Sequence, residues 1–305
     1  MREPKESKVE GARGQRTLGD ALELMASPPP AVVAINEVLG RSPIDLSQLG
    51  LISEAHPDAT MQILKLCNSS IFSLSRPVSS LEQATISLGA DPLRTLGLAW
   101  GLVERVGKYL PPVEARPFWQ HSLTAALLCE RIAAWMGFPL TEAYLAGFLH
   151  DIGRVPLLMA FGKEMRRPGG RFSGAGEATE IESREFGVNH CELGRRIALA
   201  WQFPDPFVEV FGRHHEPAQE TDEPELLCIV RAAEGLCSGR VPTLTATTNL
   251  PFTGGEEPHR VLSSCMPHLD MAEGASLAEI LEFEFLQAAQ WLNLGAKPFS
   301  GSLVR

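Results

Sequence analysis

The sequence predicts an all-helical protein built from two helical lobes. Apolar residues recur at helical spacing along most of the chain, for example at Val32, Ile35 and Leu39, whereas the alternation typical of a half-buried strand is almost absent. The composition is that of a folded protein, because 44% of the 305 residues are apolar and 21% are charged. These observations exclude a long disordered chain, a collagen and a disulfide scaffold.

The first lobe is expected over residues 20–110, after a flexible, charged segment at residues 1–19. Two signals mark the end points of one of its helices. Ser80 followed three residues later by Gln83 predicts a capping box at the N-terminus. Gly89 stands where a helix C-terminus favours a left-handed residue. The sequence therefore predicts short, well-capped helices in this lobe.

The second lobe is expected over residues 115–240, as the HD-like half of a domain that spans 20–240. The boundary is predicted at Pro111-Pro112, since adjacent prolines do not continue a helix. Residues 163–179 are rich in Gly and Arg and interrupt the helical pattern, so we expect an exposed loop there.

A C-terminal extension is expected at residues 241–305, with a final amphipathic helix over 276–292. The chain has no apolar run of the roughly 20 residues that a membrane span needs, so we expect a cytoplasmic protein without a membrane partner. Its net charge of −10 opposes binding to a phosphate backbone, so nucleic acid is not an expected partner. The six cysteines form no CxxC pair, which excludes zinc-ribbon and thioredoxin-type motifs.

Five of the eight histidines fall in the second lobe, and an aspartate follows one of them. The set is His121, His150, Asp151, His190, His214 and His215, and Glu234 could supply a closing carboxylate. Imidazole and carboxylate groups suit Zn, Fe or Mn, and helical bundles build such sites from facing helices. Neighbouring helical residues diverge by about 100°. His150 and Asp151 could therefore serve two adjacent ions, or one ion from two sides.

A structural explanation is also open for each histidine taken alone. His121 beside Trp119 could be a half-buried packing residue, and His214-His215 could be a solvated helix end. The remaining three histidines, His56, His259 and His268, are expected at the surface or in turns.

The motifs around these histidines resemble the HD superfamily, and specifically its HDOD (HD-related output domain) branch. The similar segments are FWQHS, FLHDIG, the spacing E-x3-FG-x2-H-x3-G that begins at Glu182, WQFP and HHEP. In the first lobe, ILKLCNSSIF and VSSLEQATISLG resemble the Asn-Ser and AI-x2-LG signatures of the branch. We expect the short polar side chains of the turn at Asn68 to bond local backbone groups. The resemblance covers residues 20–238.

The resemblance implies a bacterial signal-transduction domain that is regulatory and without catalysis. It would act by binding a protein partner or a small ligand. In metal-dependent relatives the ligands correspond to the seven residues above, with an Asp where this chain has Glu234. A bound divalent ion (Fe, Mn or Zn) is therefore the only cofactor implied.

The alternative is a metal-dependent phosphohydrolase acting on a nucleotide or a cyclic dinucleotide. In that case Asp151 and Arg154 would carry the reaction. Three departures weigh against the cyclic-di-GMP phosphodiesterase branch. Arg154 replaces the usual Lys after HDIG, no DGxGYP element follows His215, and Pro117 occupies a position where that branch can carry an acidic ligand.

Overall fold

A computed structural model describes residues 16–69, 72, 74–165, 175–216 and 223–238. Within these ranges the secondary structure is helical, with thirteen α-helices and no strand. The predicted all-helical class is confirmed for this part of the chain. None of its helices is both long enough and apolar enough to cross a bilayer. The segment 1–15, the extension 241–305 and the helix predicted at 276–292 lie outside the described residues.

Six helices form the N-terminal set. They are α1 (Leu18–Met25), α2 (Pro30–Leu39), α3 (Ser47–Ala55), α4 (Pro57–Cys67), α5 (Leu81–Leu88) and α6 (Ala90–Tyr109). The capping box predicted for α5 forms only in part, because the Ser80 hydroxyl accepts from the Gln83 N–H while the Gln83 side chain accepts from Ser79 instead. Gly89 ends α5 at φ 93°, in the range that favours glycine.

Asn68 ends α4 and fastens it to the segment that precedes α5. Its Nδ2 donates to the Val78 carbonyl at 2.8 Å, and its Oδ1 accepts from the Val78 N–H at 2.7 Å. Ser69 Oγ donates to the Leu66 carbonyl at 2.7 Å. The Ser69 bond is local, as expected. The expectation was wrong for Asn68, whose partner is ten residues away, because the chain folds back beside the turn.

Seven helices form the C-terminal set. They are α7 (Pro112–Met136), α8 (Leu140–Leu149), α9 (Arg154–Met165), α10 (Ala175–Phe186), α11 (His190–Ala200), α12 (Asp205–Arg213) and α13 (Glu225–Ser238). Helix α7 begins within the Pro111-Pro112 pair, where Pro loses no intrahelical bond. The loop predicted over 163–179 was too long, because α9 continues to Met165 and α10 begins at Ala175; residues 166–174 lie outside the described part.

One hydrophobic core connects the two sets of helices. Trp201 follows α11 and packs against Gly101 of α6, where an added Cβ would lie 3.1 Å from the indole ring. The indole N–H donates to the carbonyl of Met25 at the end of α1, at 2.8 Å. The start of α11 lies in the histidine cluster described below, so this helix connects that cluster to the N-terminal set.

Candidate metal centre

The structure brings the seven predicted residues together. They come from five places in the C-terminal set: His121 from α7, His150 and Asp151 from the turn after α8, His190 from the start of α11, His214 and His215 from the end of α12, and Glu234 from α13. His150, Asp151, His190, His214 and Glu234 are at most 5% exposed. The side chain of His121 is 31% exposed, so the cluster is open to solvent on that side.

Gly153 allows the turn after α8 to touch the start of α11. A Cβ at this position would lie 1.9 Å from the His190 carbonyl oxygen and 2.4 Å from the Gly194 nitrogen. Any side chain would therefore push the two backbones apart. The glycine of FLHDIG is what allows His190 to stand opposite Asp151.

Centre 1 is the group of donor atoms formed by His121 Nε2, His150 Nε2, Asp151 Oδ2 and Glu234 Oε2. His121 Nε2 lies 3.2 Å from His150 Nε2, 3.4 Å from Asp151 Oδ2 and 3.1 Å from Glu234 Oε2. His150 Nε2 lies 3.7 Å from Asp151 Oδ2 and 3.4 Å from Glu234 Oε2. The Glu234 carboxylate therefore reaches both imidazoles of centre 1.

Centre 2 is the group on the other side of Asp151, formed by Asp151 Oδ1, His190 Nε2 and His214 Nε2. Asp151 Oδ1 lies 3.2 Å from His190 Nε2 and 3.5 Å from His214 Nε2, and the two nitrogens are 3.3 Å apart. His215 and Cys191 complete a cluster with His190 and His214 whose donor atoms all lie within 4.8 Å of one another. The Asp151 carboxylate therefore faces both centres, one oxygen to each.

Three imidazoles are oriented by hydrogen bonds from Nδ1. His150 Nδ1 is 2.7 Å from the Gly147 carbonyl, His214 Nδ1 is 2.9 Å from the Val210 carbonyl, and His190 Nδ1 is 2.6 Å from Glu182 Oε2. Carbonyl and carboxylate oxygens only accept, so each Nδ1 carries the hydrogen. In its neutral form each ring then presents the lone pair of Nε2 to the centres, which is the tautomer that ligation through Nε2 requires.

The electrostatics of the two centres differ. Burial, followed by the charge of Arg154, holds the pKa of His190 well below its usual range, and burial lowers the pKa of His214. Burial also opposes protonation of His150, but Asp151 and Glu234 outweigh it and raise its pKa. A proton on His150 can bridge the donors of centre 1. At centre 2 the lowered pKa values of His190 and His214 favour the neutral form of both rings.

The carboxylates of Asp151 and Glu234 are ionised, and their negative charge favours binding of a cation. Burial alone would raise the pKa of Asp151, but Arg154 and the neighbouring imidazoles hold it well below its usual range. Burial opposes ionisation of Glu234 too, yet His121 and His150 hold its pKa well below normal. Neither Asp151 oxygen receives a well-aligned hydrogen bond from the described residues, although Arg154 Nε lies 2.7 Å from Oδ2.

The donor spacing fits a metal ion. Bonds of about 2.0–2.3 Å in a tetrahedral site place ligand atoms roughly 3.3–3.8 Å apart. The measured separations in both centres, 3.1 to 3.7 Å, are close to that range. Within the described ranges, both ring nitrogens of His215 are buried without a hydrogen-bond partner. The donors therefore fit the divalent ion that the sequence suggested.

Two residues of the site were missed by sequence reasoning. Glu182 accepts from both the backbone N–H of His190, at 2.8 Å, and its ring, so it orients that imidazole. Cys191 places its Sγ 4.0 Å from His214 Nε2. The signal for Glu182 was its fixed spacing of eight residues before His190, in the motif E-x3-FG-x2-H. Cys191 had no signal beyond its position next to a predicted ligand.

The fold and the cluster define a class: an all-helical domain whose histidines and aspartate converge between helices. The family model of the HDOD domain matches residues 25–217. The chain belongs to the HDOD family, and the resemblance inferred from its motifs is confirmed.

Solved structures with the same fold come from several bacteria. An HDOD domain protein of unknown function from Geobacter sulfurreducens has a TM-score of 0.61 and 23% identity, covering 90% of this chain and 97% of its own. A candidate phosphohydrolase from Shewanella amazonensis SB2B has a TM-score of 0.61 and 19% identity, covering 92% and 98%. A candidate signal transduction protein from Marinobacter aquaeolei VT8 has a TM-score of 0.60 and 19% identity, covering 94% and 63%. At these identities the likeness shows the shared fold.

The curated relatives are longer proteins. An uncharacterized protein of Treponema pallidum (strain Nichols) is 19% identical over 222 residues, which is 68% of this chain and 40% of the relative. Ribonuclease Y of Desulfotalea psychrophila (strain LSv54 / DSM 12343) is 28% identical over 160 residues, which is 52% of this chain and 24% of that enzyme. This chain therefore matches less than half of the length of either relative.

Proposed function

We propose that this HDOD protein is a bacterial signalling protein that binds divalent metal ions at centres 1 and 2 and acts by binding a protein partner or a small ligand. The observation that carries the metal is the convergence of His190 Nε2, His214 Nε2 and Asp151 Oδ1, which lie 3.2 to 3.5 Å from one another. Nitrogen and oxygen donors held this close together suit a divalent ion. Burial opposes ionisation of Asp151, but Arg154 and the neighbouring imidazoles hold its pKa low, so its carboxylate adds negative charge that favours a cation.

Metal binding would tie together five separate elements of the C-terminal set. Centre 1 draws on α7, α13 and the turn after α8, and centre 2 draws on that turn, α11 and α12. Because these ligands are close together only in the folded chain, the free energy of metal binding adds to the free energy of folding. A bound ion can therefore stabilise the arrangement of these helices without any turnover.

The partner surface is proposed on the N-terminal set. Leu51 of α3 is 65% exposed and Ile86 of α5 is 74% exposed. These helices contact each other directly. These two side chains would form part of the apolar surface that the partner covers.

The test is metal analysis of the full chain, purified without chelator or nickel affinity steps. We expect bound Fe, Mn or Zn in the natural protein and loss of metal from both centres in Asp151→Ala. Glu192→Ala is the matched control, because Glu192 is a half-exposed acid on α11 that pairs with Arg196. Equal, trace metal in all three proteins, each folded by circular dichroism, would contradict the proposal.

A metal-dependent phosphohydrolase is the second candidate, favoured by Arg154. Its guanidinium is buried beside Asp151, where it could hold a phosphoryl oxygen as charge develops. A bound metal ion would supply an activated water at such a site. The similarity to Ribonuclease Y and to candidate phosphohydrolases supports the same chemistry.

The two candidates differ in turnover. Metal-dependent hydrolysis of RNA, a nucleotide or a cyclic dinucleotide, abolished by His150→Ala and reduced by Arg154→Lys, would establish the enzyme. The absence of turnover in a protein shown to hold its metal would leave the binding function.

A further inference from the structure

Centre 2 has a sulfur atom beside its nitrogen and oxygen donors. Cys191 Sγ lies 4.0 Å from both Nδ1 and Nε2 of His214. It belongs to the cluster of His190, Cys191, His214 and His215 in which the donor atoms lie within 4.8 Å of one another. Cys191 is 8% exposed, so water does not readily compete for this position.

We infer that Cys191 is a metal ligand of centre 2, which makes this centre a mixed nitrogen, oxygen and sulfur site for a thiophilic divalent ion such as Zn²⁺. The inference rests on the proposed function, since it assumes that centre 2 holds an ion. Thiolate selects Zn²⁺ and similar ions, whereas carboxylate and water ligands suit Mn²⁺ or Mg²⁺. Coordination forms a metal–sulfur bond, and the thiol proton is released to water.

The spacing supports this assignment. A metal–sulfur bond of about 2.3 Å and a metal–nitrogen bond of about 2.0 Å leave the two ligand atoms roughly 3.5 Å apart in a tetrahedral site. Cys191 Sγ is 4.0 Å from His214 Nε2 and equally far from Nδ1, so a rotation of the Cys191 side chain would bring it to ligation distance. Burial raises the pKa of the Cys191 thiol, so the thiolate is expected only when a bound ion holds it.

Centre 1 provides the comparison. Cys237 of α13 lies within 4.8 Å of the donors of His121 and Glu234. Centre 1, however, already has four nitrogen and oxygen donors spaced 3.1 to 3.7 Å apart. Centre 2 has three such donors at comparable spacing, and His215 and Cys191 are the further donors in its cluster. Of the two cysteines, Cys191 is therefore the one assigned as a metal ligand.

Co²⁺ is the probe, added alone to the full chain after metal removal. Thiolate ligation produces a sulfur-to-cobalt charge-transfer band in the near ultraviolet, while nitrogen and oxygen ligands give only weaker visible bands. We expect the charge-transfer band in the natural protein, its loss in Cys191→Ser and Cys191→Ala, and its retention in Cys237→Ser. Cys67→Ser, in the buried core of the N-terminal set, is the control for replacing a buried thiol.

Competition between ions gives a second readout. Loss of a ligand's hydrogen-bonding partner lowers metal affinity by roughly 10- to 100-fold. Loss of the ligand itself, in Cys191→Ser, should lower the affinity for Zn²⁺ by more than that, while the affinity for Mn²⁺ should hardly change. Visible cobalt bands without the charge-transfer band in the natural protein would overturn the inference and leave the proposed metal site intact. A band abolished by Cys237→Ser alone would assign the sulfur to centre 1. Failure of the natural protein to bind Co²⁺, Zn²⁺, Mn²⁺ or Fe²⁺ would refute the proposed function itself.

Discussion

Replacement of Gly153 by alanine should separate the two parts of the metal centre. The new Cβ would lie 1.9 Å from the His190 carbonyl oxygen, whereas close carbon–oxygen contacts are about 3.3 Å. The start of α11 must therefore move away by more than about 1 Å. Both atoms in conflict with the Cβ, the His190 oxygen and the Gly194 nitrogen, belong to the backbone, so no side-chain rotation relieves the clash.

The displacement can be followed to centre 2. Asp151 Oδ1 and His190 Nε2 are now 3.2 Å apart, and an outward shift of that size takes them beyond the spacing that one ion with bonds of about 2 Å can bridge. We expect Gly153→Ala to lower the free energy of unfolding by at least the roughly 1–3 kcal/mol of ordinary overpacking. It should also abolish metal binding at centre 2.

The assays are thermal unfolding and metal content of the full chain. Gly107→Ala is the matched control, because an added Cβ at this helical position meets nothing within 4 Å. That substitution should stabilise the protein slightly, by up to about 1 kcal/mol, since alanine favours helix over glycine. Natural stability and full metal content in Gly153→Ala would refute the reasoning.

Three further outcomes are expected. Asn68→Ala should lower the free energy of unfolding by about 2 kcal/mol, because it removes both hydrogen bonds to Val78. Asn68→Asp can still accept one of these bonds, so it should lower the free energy by about half as much. Denaturant unfolding measures both values, and the reverse order would contradict the prediction. Glu182→Gln should weaken metal binding at centre 2 by roughly 10- to 100-fold in a titration, unlike the exposed Glu180→Gln. In metal-free protein the lowered pKa values of His190 and His214 give stability that is present above their unfolded pKa and is lost as pH falls. The loss between pH 6.5 and 5.5 is up to about 2 kcal/mol for the two groups together, and a flat pH profile of unfolding would contradict this.

The ligand residues could be predicted because their types and motifs are visible in the sequence. What could not be predicted is the assignment of Asp151 to both centres, since each oxygen's partners depend on how α7, α11, α12 and α13 pack. Cys191 was missed for the same reason. Cys191 points about 100° around α11 from His190, so the helix alone does not place the two side chains at one site. They share a neighbour, His214, because the end of α12 packs against them.

Which residues of a helix face the core is also not fully decided by the sequence. On α11, Ala198 is buried and Ala200 is exposed, although both are small apolar residues of the same helix. Small residues on two adjacent faces fit the helical period equally well, so the pattern does not decide between them. Contact with the neighbouring helices decides which face is buried.

The length of helix α11 fixes the distance and angle between the metal centre and the N-terminal set. It begins at a proposed metal ligand, His190, and the residue after it is Trp201, which is bonded to the end of α1. One inserted or deleted residue would turn its two ends by about 100° relative to each other, so that His190 and Trp201 could not both keep their partners. The number of residues between them is therefore under as strict a constraint as their identities, and length variation within the family is expected elsewhere.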